Sequence, residues 1–289
     1  MLTTYSILGI DKETNSIGIA VQSKFPNVGS IVPHGKVDIG VIATQAFANS
    51  VHAKDGISLL SEGRSPKEVI DILIKNDEKR NQRQIGILNM QGDKFSYTGE
   101  DVYSWDGYAG SAEKENCIAQ GNSLKNKNVL NRMVSEFEKK EGSLSEKLLH
   151  ALDAGQQAGG EIRGQQSAAI LVLKKGAGYD EGDDRLVDIS IFDHKEPIKE
   201  LARCYELYKL SFFPSNPKNL IQITDDIAIL LKKQMKKINL YDGEENGHWD
   251  KEEIEAMKRF MGWENYDNRM RDDNLIDIEI LNDIKNKLK

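Results

Sequence analysis

Cysteine is scarce in this chain: Cys117 and Cys204 are the only two among 289 residues. Two thiols build no disulfide framework and show no metal-ligand spacing, so both are expected as ordinary buried or half-buried side chains. Proline is also sparse, at six, so the pair Pro214 and Pro217 stands out. Positive charge is not in excess: 39 Lys and Arg face 46 Asp and Glu, for a net charge of −7. No basic cluster is interleaved with aromatics, so nucleic acid is not an expected partner. No apolar run approaches the ~18 residues of a transmembrane helix, and the first residues lack the basic and then apolar stretch of a secretion signal. No membrane partner is expected, and a reducing, cytoplasmic setting is.

What is present fits a soluble globular protein, with 39% hydrophobic and 29% charged residues. The length suits roughly two domains. Alternating patterns predict strands at 4–10 and 16–23 around a turn of self-bonding residues, and a second pair at 28–32 and 37–44 around Pro33-His34-Gly35. A helix is expected after Ser65, which starts a capping box with Glu68 and has Pro66 at the first helical position; Val69, Ile72 and Ile74 supply its apolar stripe. A hairpin over 84–89 and 94–98, a short strand at 116–120 and two helices follow; the first carries Val129, Met133, Val134 and Phe137, the second the capping box Ser143 and Glu146. Strands at 167–173 and 185–192 and a helix at 196–210 complete the first part. Blocks of strands and helices in this order indicate α+β layering with antiparallel sheets. The two prolines near 213–217 mark a boundary. Beyond it the pattern predicts three helices, at 225–238, 251–261 and 277–288. The expected domains are 1–212 and 219–289.

The first strand opens with Thr3, Thr4 and Ser6. A Thr at the start of a strand is a nucleophile when its own α-amine serves as base, and that amine titrates near pH 7.7–8.0. As encoded, Met1, Leu2 and Thr3 precede Thr4, and Leu2 is too large for removal of Met1 by an aminopeptidase, so the amine is expected to be tied up as an amide. Alternation places Thr4 and Ser6 on one face of the strand and Thr3 and Tyr5 on the other.

Six blocks in one order resemble the DUF1028 family, grouped with the N-terminal-nucleophile (Ntn) hydrolases. They are Ser23-Lys24-Phe25-Pro26-Asn27-Val28-Gly29, Ala43-Thr44-Gln45-Ala46, Arg83-Gln84-Ile85-Gly86, Gln120-Gly121-Asn122, the stretch from Gly159 to Ala168, and Asp184 to Asp188 with Asp193-His194. Glu161 and Gln165 stand where members usually carry Asp and Arg. The stretch from Gly262 to Arg269, with Ile276-Asp277, is similar to a peptidoglycan-binding domain attached to some members. The resemblance implies a four-layer αββα sandwich and a small all-α C-terminal domain. Thr4-Tyr5-Ser6 matches the family's opening Thr-aromatic-Ser, with Leu2 and Thr3 as extra residues before it.

On this footing Thr4 is the expected catalytic nucleophile and Lys36, at the head of its strand, the cation that tunes its amine, as in proteasome-type threonine sites; Asn122 would donate to an oxyanion. Ser23, Lys24, Gln45, Glu161, Arg163 and Ser167 are the expected substrate-binding residues. Ser23 and Lys24 point to opposite strand faces and form no dyad. The histidines show no ligand spacing. In the tail, Asp242, Glu244, Asn246, Gly247 and Glu253 fall on EF-hand positions 1, 3, 5, 6 and 12, but Glu is long for position 3 and Asp250 with Glu253 equally reads as a capping box. No metal and no cofactor are expected. The expected activity is hydrolysis of a C–N (amide) bond in a small molecule or peptide. The alternatives are a non-catalytic small-ligand or glycan-binding protein on the same scaffold, or Ser23 or Ser6 as nucleophile. A homo-oligomer is compatible with all three.

Overall fold

The computed structural model describes residues 2–104 and 106–287. The chain divides into two compact units, Met1–Arg203 and Cys204–Lys289. The division falls within the helix Pro197–Phe212, ahead of the proline link.

In the first unit the described strands form two antiparallel sheets. One is six-stranded, in the order β10-β9-β2-β1-β8-β7, built from β1 (Thr4–Asp11), β2 (Ser16–Ser23), β7 (Tyr108–Lys114), β8 (Cys117–Leu124), β9 (Ser167–Leu173) and β10 (Arg185–Ile191). The other runs β3-β4-β5-β6, from β3 (Pro33–Lys36), β4 (Gly40–Ala46), β5 (Arg83–Asn89) and β6 (Lys94–Thr98). The sheets meet through β1 against β4 and β5 against β8. Leu8, Ile10, Ile17, Ile19 and Val21 of the first sheet share an apolar cluster with Val41, Ala43 and Leu88 of the second. Helices α3 (Asn128–Lys139) and α4 (Leu144–Gln157) cover the other face of the first sheet, and α1 (Ser50–Ser61) and α2 (Pro66–Lys75) that of the second. The chain then enters α5 (Pro197–Phe212).

Local signals account for most elements. The capping boxes of α2 and α4 form as the sequence predicts, with Ser65 and Glu68, and Ser143 and Glu146, bonding reciprocally. The second strand pair differs from its expectation. Val28–Ser30 is a short 3-10 turn, Pro33-His34-Gly35 lies inside β3, and the chain reverses after Lys36, with Asp38 left-handed at φ 61°. Pro33 is tolerated because β3 is an edge strand. In α2, Val69, Ile70 and Leu73 face the core and Ile72 is exposed, so the stripe follows an i, i+1, i+4 spacing. Helix α1 and the edge strand β7 are additions. The first has little apolar periodicity; the second, Tyr-Ala-Gly-Ser-Ala-Glu-Lys, has no apolar face long enough to announce a strand.

The second unit holds α6 (Asp225–Lys237), α7 (Lys251–Trp263) and α8 (Ile278–Asn286), close to the expected spans. A two-stranded ribbon, β11 (Leu220–Gln222) with β12 (Leu275–Asp277), is added to them. Leu231, Met235, Phe260, Ile280 and Ile284 lie in its core. The buried Arg269 is fully engaged, donating to Asp277 (2.8 Å), Glu279 (2.7 Å) and the carbonyls of Phe213 (3.0 Å) and Lys209 (2.9 Å).

Gly9, mid-strand in β1, lets α3 lie close: a Cβ there would come within 2.5 Å of Phe137 Cε2 and 2.6 Å of its Cζ. Gly9→Ala is therefore expected to destabilise the first unit by about 1–3 kcal/mol through overpacking, read as a lower urea midpoint with unchanged slope.

Candidate functional site

The β1–β2 register puts Thr4 opposite Ser23, and on β1's other side Tyr5 opposes Gly121. One register step further brings Asn122 beside Thr4, so Ser23, Thr4 and Asn122 form a row on the face between the sheets. All three are completely buried. Thr4 Oγ1 donates to Ser23 Oγ at 3.0 Å, and Ser23 Oγ donates to the Thr3 carbonyl at 2.7 Å. A hydroxyl has one proton and two lone pairs, so Ser23 links Thr4's oxygen to the carbonyl of the peptide bond that precedes it.

Neutral amides surround this row. Ser6 Oγ donates to Gln45 Oε1 (2.8 Å), and Gln45 Nε2 donates to the Thr4 carbonyl (3.3 Å) and Gln84 Oε1 (2.8 Å). Asn122 Nδ2 donates to the same Gln84 oxygen (2.9 Å), and Gln84 Nε2 to the Gly121 carbonyl (2.9 Å) and Thr98 Oγ1 (2.9 Å). Gln120 spans the sheets, donating to the Ala43 carbonyl (3.0 Å) and accepting from Ser96 (2.9 Å). It fits because Gly86 has no side chain; a Cβ there would lie 3.0 Å from the Gln120 amide. Asn122 Oδ1 is buried without a partner.

The opposite face of β1 carries Thr3 and the Gly159–Ser167 loop. Glu161, 3% exposed, bonds Arg163 through N–H (2.9 Å) and guanidinium (3.1 Å), both at Oε1. Burial pushes its carboxyl above the ordinary range, against the pull of Arg163 and of the Thr3 hydroxyl beside it. Even so, Glu161 Oε2 and Thr3 Oγ1 complete no hydrogen bond of normal geometry, and Gln22 Oε1 is also unpartnered. Leu2 N–H donates to the Ala46 carbonyl at 2.8 Å in an antiparallel bridge. Ala46 is left-handed at φ 62° and buried, a conformation costing about 1–3 kcal/mol in a non-glycine residue. Arg83 props the next residue, donating to the Phe47 carbonyl while bound to Asp77 at 2.7 Å.

The other expected site residues fall differently. Lys36 is exposed and paired with Gly40, at the opposite end of the seven-residue β4 from Ala46. At ~3.3 Å per residue that is about 20 Å from where Leu2 docks, so Lys36 is not Thr4's cation. Lys24 Nζ donates to the Gln165 carbonyl (3.2 Å), and Arg163 to the Lys24 carbonyl (3.2 Å). Ser167 pins the loop after β2, donating to the Phe25 carbonyl (2.5 Å) and accepting from Val28 N–H (3.1 Å). Gln84 is the hub that sequence reasoning missed; its signal was a Gln directly ahead of the run Ile85 to Leu88 in a central strand. Burial, and then Glu138, push the Cys117 thiol up to about 12, which leaves it inert.

In the tail, the calcium pattern is occupied by a side chain. The buried Lys232 ammonium bonds Asn246 Oδ1 at 2.9 Å and Glu253 Oε1 at 3.0 Å, loop positions 5 and 12. Glu253 Oε2 accepts from Asp250 N–H, and Tyr241 OH donates to Oε1. Among the described residues, His248, Asp250 and Glu253 bring ligand atoms within 4.8 Å of one another, and both Glu253 oxygens already accept bonds within the protein. Burial raises the Glu253 carboxyl, yet the bonds from Asp250, Lys232 and Tyr241 outweigh it and hold it at about 2.

Residues 4–201 match the model described as "Family of unknown function (DUF1028)", and residues 212–282 the one described as "Putative peptidoglycan binding domain". A crystal structure of protein SPO2555 from Silicibacter pomeroyi, assigned to DUF1028, is 29% identical, covering 72% of this chain and 87% of that one with a TM-score of 0.65. Anbu (ancestral beta-subunit) from Yersinia bercovieri is 9% identical, covering 72% and 96% of the two chains with a TM-score of 0.33. No curated protein matches the chain. No helix among the described residues is long and apolar enough to cross a membrane.

Three outcomes are expected. Gln84→Leu strips the acceptor from Gln45 and Asn122, at about 1–3 kcal/mol for each buried donor left unpaired, measurable by chemical denaturation. Lys232→Met leaves Glu253 buried without its cation and costs the tail about 3–5 kcal/mol, while Lys232→Met/Glu253→Gln recovers most of it. Because Glu253 is depressed to about 2, its share of wild-type stability is present above about pH 4.3 and lost as pH falls through its folded value; Glu253→Gln removes that slope from an acid melting series.

Proposed function

The chain belongs to the DUF1028 family, and from its buried site we propose that it is an amide hydrolase of the Ntn type, with Thr4 as nucleophile once the Thr3–Thr4 bond is cut. The observation that carries this reading is the relay from Thr4 Oγ1 through Ser23 Oγ to the Thr3 carbonyl. Two facing sheets with a helix pair on each outer face support the αββα sandwich of that class.

In the cleavage, Thr4 Oγ attacks the Thr3 carbonyl carbon. Its proton passes to Ser23 while Ser23's proton supports the carbonyl oxygen. The C–N bond breaks, the Thr4 nitrogen takes a proton, and water hydrolyses the resulting ester to a Thr3 carboxylate and a free Thr4. In turnover the α-amine accepts the Thr4 hydroxyl proton and returns it to the leaving amine, and water then cleaves the acyl ester. The Asn122 amide, which has a second N–H beyond the one given to Gln84, steadies the oxyanion. Substrate is a small-molecule or peptide amide. With Lys36 far from Thr4, the bare amine sets the pH profile, and kcat/KM is expected to rise as pH passes about 7.7–8.0.

Complete burial of Thr4 favours a second reading, a non-catalytic small-ligand scaffold. The domain match at 212–282 supports a glycan as the ligand class for the tail under either reading.

Intact mass and amide turnover of wild type, Thr4→Ala and Thr4→Ser decide between them. We expect wild type and Thr4→Ser to yield chains starting at residue 4 that turn over amides, and Thr4→Ala to stay uncut and inactive. A fully active chain that keeps its Thr3–Thr4 bond sinks Thr4 as nucleophile.

A further inference from the structure

Leu2 and Thr3 occupy the fold as a bound peptide would. Leu2 pairs its N–H with the Ala46 carbonyl at the end of β4 (2.8 Å), as in strand addition. Its side chain is 7% exposed and belongs to the apolar cluster that includes Val28, Val32 and Ala43. Thr3 turns its side chain the other way, toward Glu161, and its carbonyl is held by Ser23. The groove thus offers a backbone rail, an apolar pocket, a polar pocket and a donor on the reactive carbonyl, in the order of an extended chain.

The polar pocket is unfinished. Glu161 is more than nine-tenths buried, its Oε2 has no partner, and the Thr3 hydroxyl beside it is also unpaired. Thr3 is covalently tied to β1; a side chain free of that tether can close the bond. An ammonium suits this pocket less well than a hydroxyl, because Arg163 already supplies the positive charge at 3.1 Å and burial favours the neutral carboxyl.

We propose that this groove is the acyl-side subsite and that the substrate is a peptide amide carrying an apolar residue followed by Thr or Ser before the scissile bond, with Glu161 reading the hydroxyl. The assignment rests on the Thr4 hydrolase reading for its chemistry, and the binding half of its test does not.

Thr4→Ala blocks chemistry and keeps the segment in place; Leu2→Asp/Thr4→Ala adds a charge that unseats it. Calorimetry with acetyl-Leu-Thr-amide, acetyl-Leu-Val-amide, acetyl-Leu-Lys-amide and acetyl-Asp-Thr-amide compares the two. The double variant is expected to bind acetyl-Leu-Thr-amide at least about tenfold tighter than the other three, and Thr4→Ala to bind none. Adding Glu161→Leu should level Thr with Val. Equal binding of all four, preference for Lys, or no binding by a folded double variant overturns the proposal. A chain trimmed to start at Thr4 gives a second measurement, the thermal shift on adding acetyl-Leu-Thr-amide; collapse of both forms without rescue by the peptide assigns Leu2 to the core alone and overturns it too. The expected preference without amide turnover retains the groove and removes the hydrolase; turnover of amides that lack both residues does the reverse.

Discussion

Polar side chains shut between two sheets, away from water, must satisfy one another, and the centre of the first unit is organised by that requirement. A buried donor without an acceptor costs about 1–3 kcal/mol. Gln45, Gln84, Gln120 and Asn122 therefore interlock, each holding a backbone carbonyl or a neighbour's amide. The bare Cα of Gly86 makes room for Gln120. A network of neutral amides fixes geometry without shifting charge. It aligns Thr4 with Ser23 and contributes no base, so under the proposed hydrolase reading the proton acceptor for Thr4 is its own backbone nitrogen once the cut frees it.

Much of this was legible along the chain, and what was not depends on contacts between distant segments. The strands β1 and β2 follow from alternation, β9 from a short continuous apolar run, and α2, α4 and α7 from capping boxes whose partners stand three residues apart. The β3–β4 reversal was misplaced because Pro-His-Gly has turn chemistry, whereas the actual turn relies on Asp38 adopting φ 61°. The row Ser23–Thr4–Asn122 needs only the period of a strand and the family blocks. Gln84 becomes a hub only through the register of the opposite sheet, which no local pattern encodes. Lys36 failed for the complementary reason: standing at the head of a strand says nothing about which end of that strand meets Thr4.

The tail shows the same logic with charges. Asn246 and Glu253 of the EF-hand-like loop converge, but the charge between them is the Lys232 ammonium delivered from α6. A tethered cation lowers the Glu253 carboxyl as an ion would, and it costs the site no dependence on a ligand. Loop spacing alone cannot distinguish the two, because the lysine lies outside the loop.

The same residues that close the first unit's site also describe how it would open. The Thr4 relay exists only when β1, β2 and the Glu161 loop are assembled, since Gln166 N–H bonds the Ser23 carbonyl and Arg163 the Lys24 carbonyl. An unfolded chain has no such arrangement, so cutting at Thr3–Thr4 would follow folding rather than precede it. Once cut, the segment ending at Thr3 would keep the Leu2–Ala46 bond and its apolar pocket but lose the covalent tether, and its departure would leave Ala46 strained with its carbonyl unpaired. A strand end held in that state favours any incoming backbone N–H that restores the pairing. Strain at Ala46 and the orphaned Glu161 oxygen are thus two sides of one feature: a groove shaped by its own chain to hold an extended peptide.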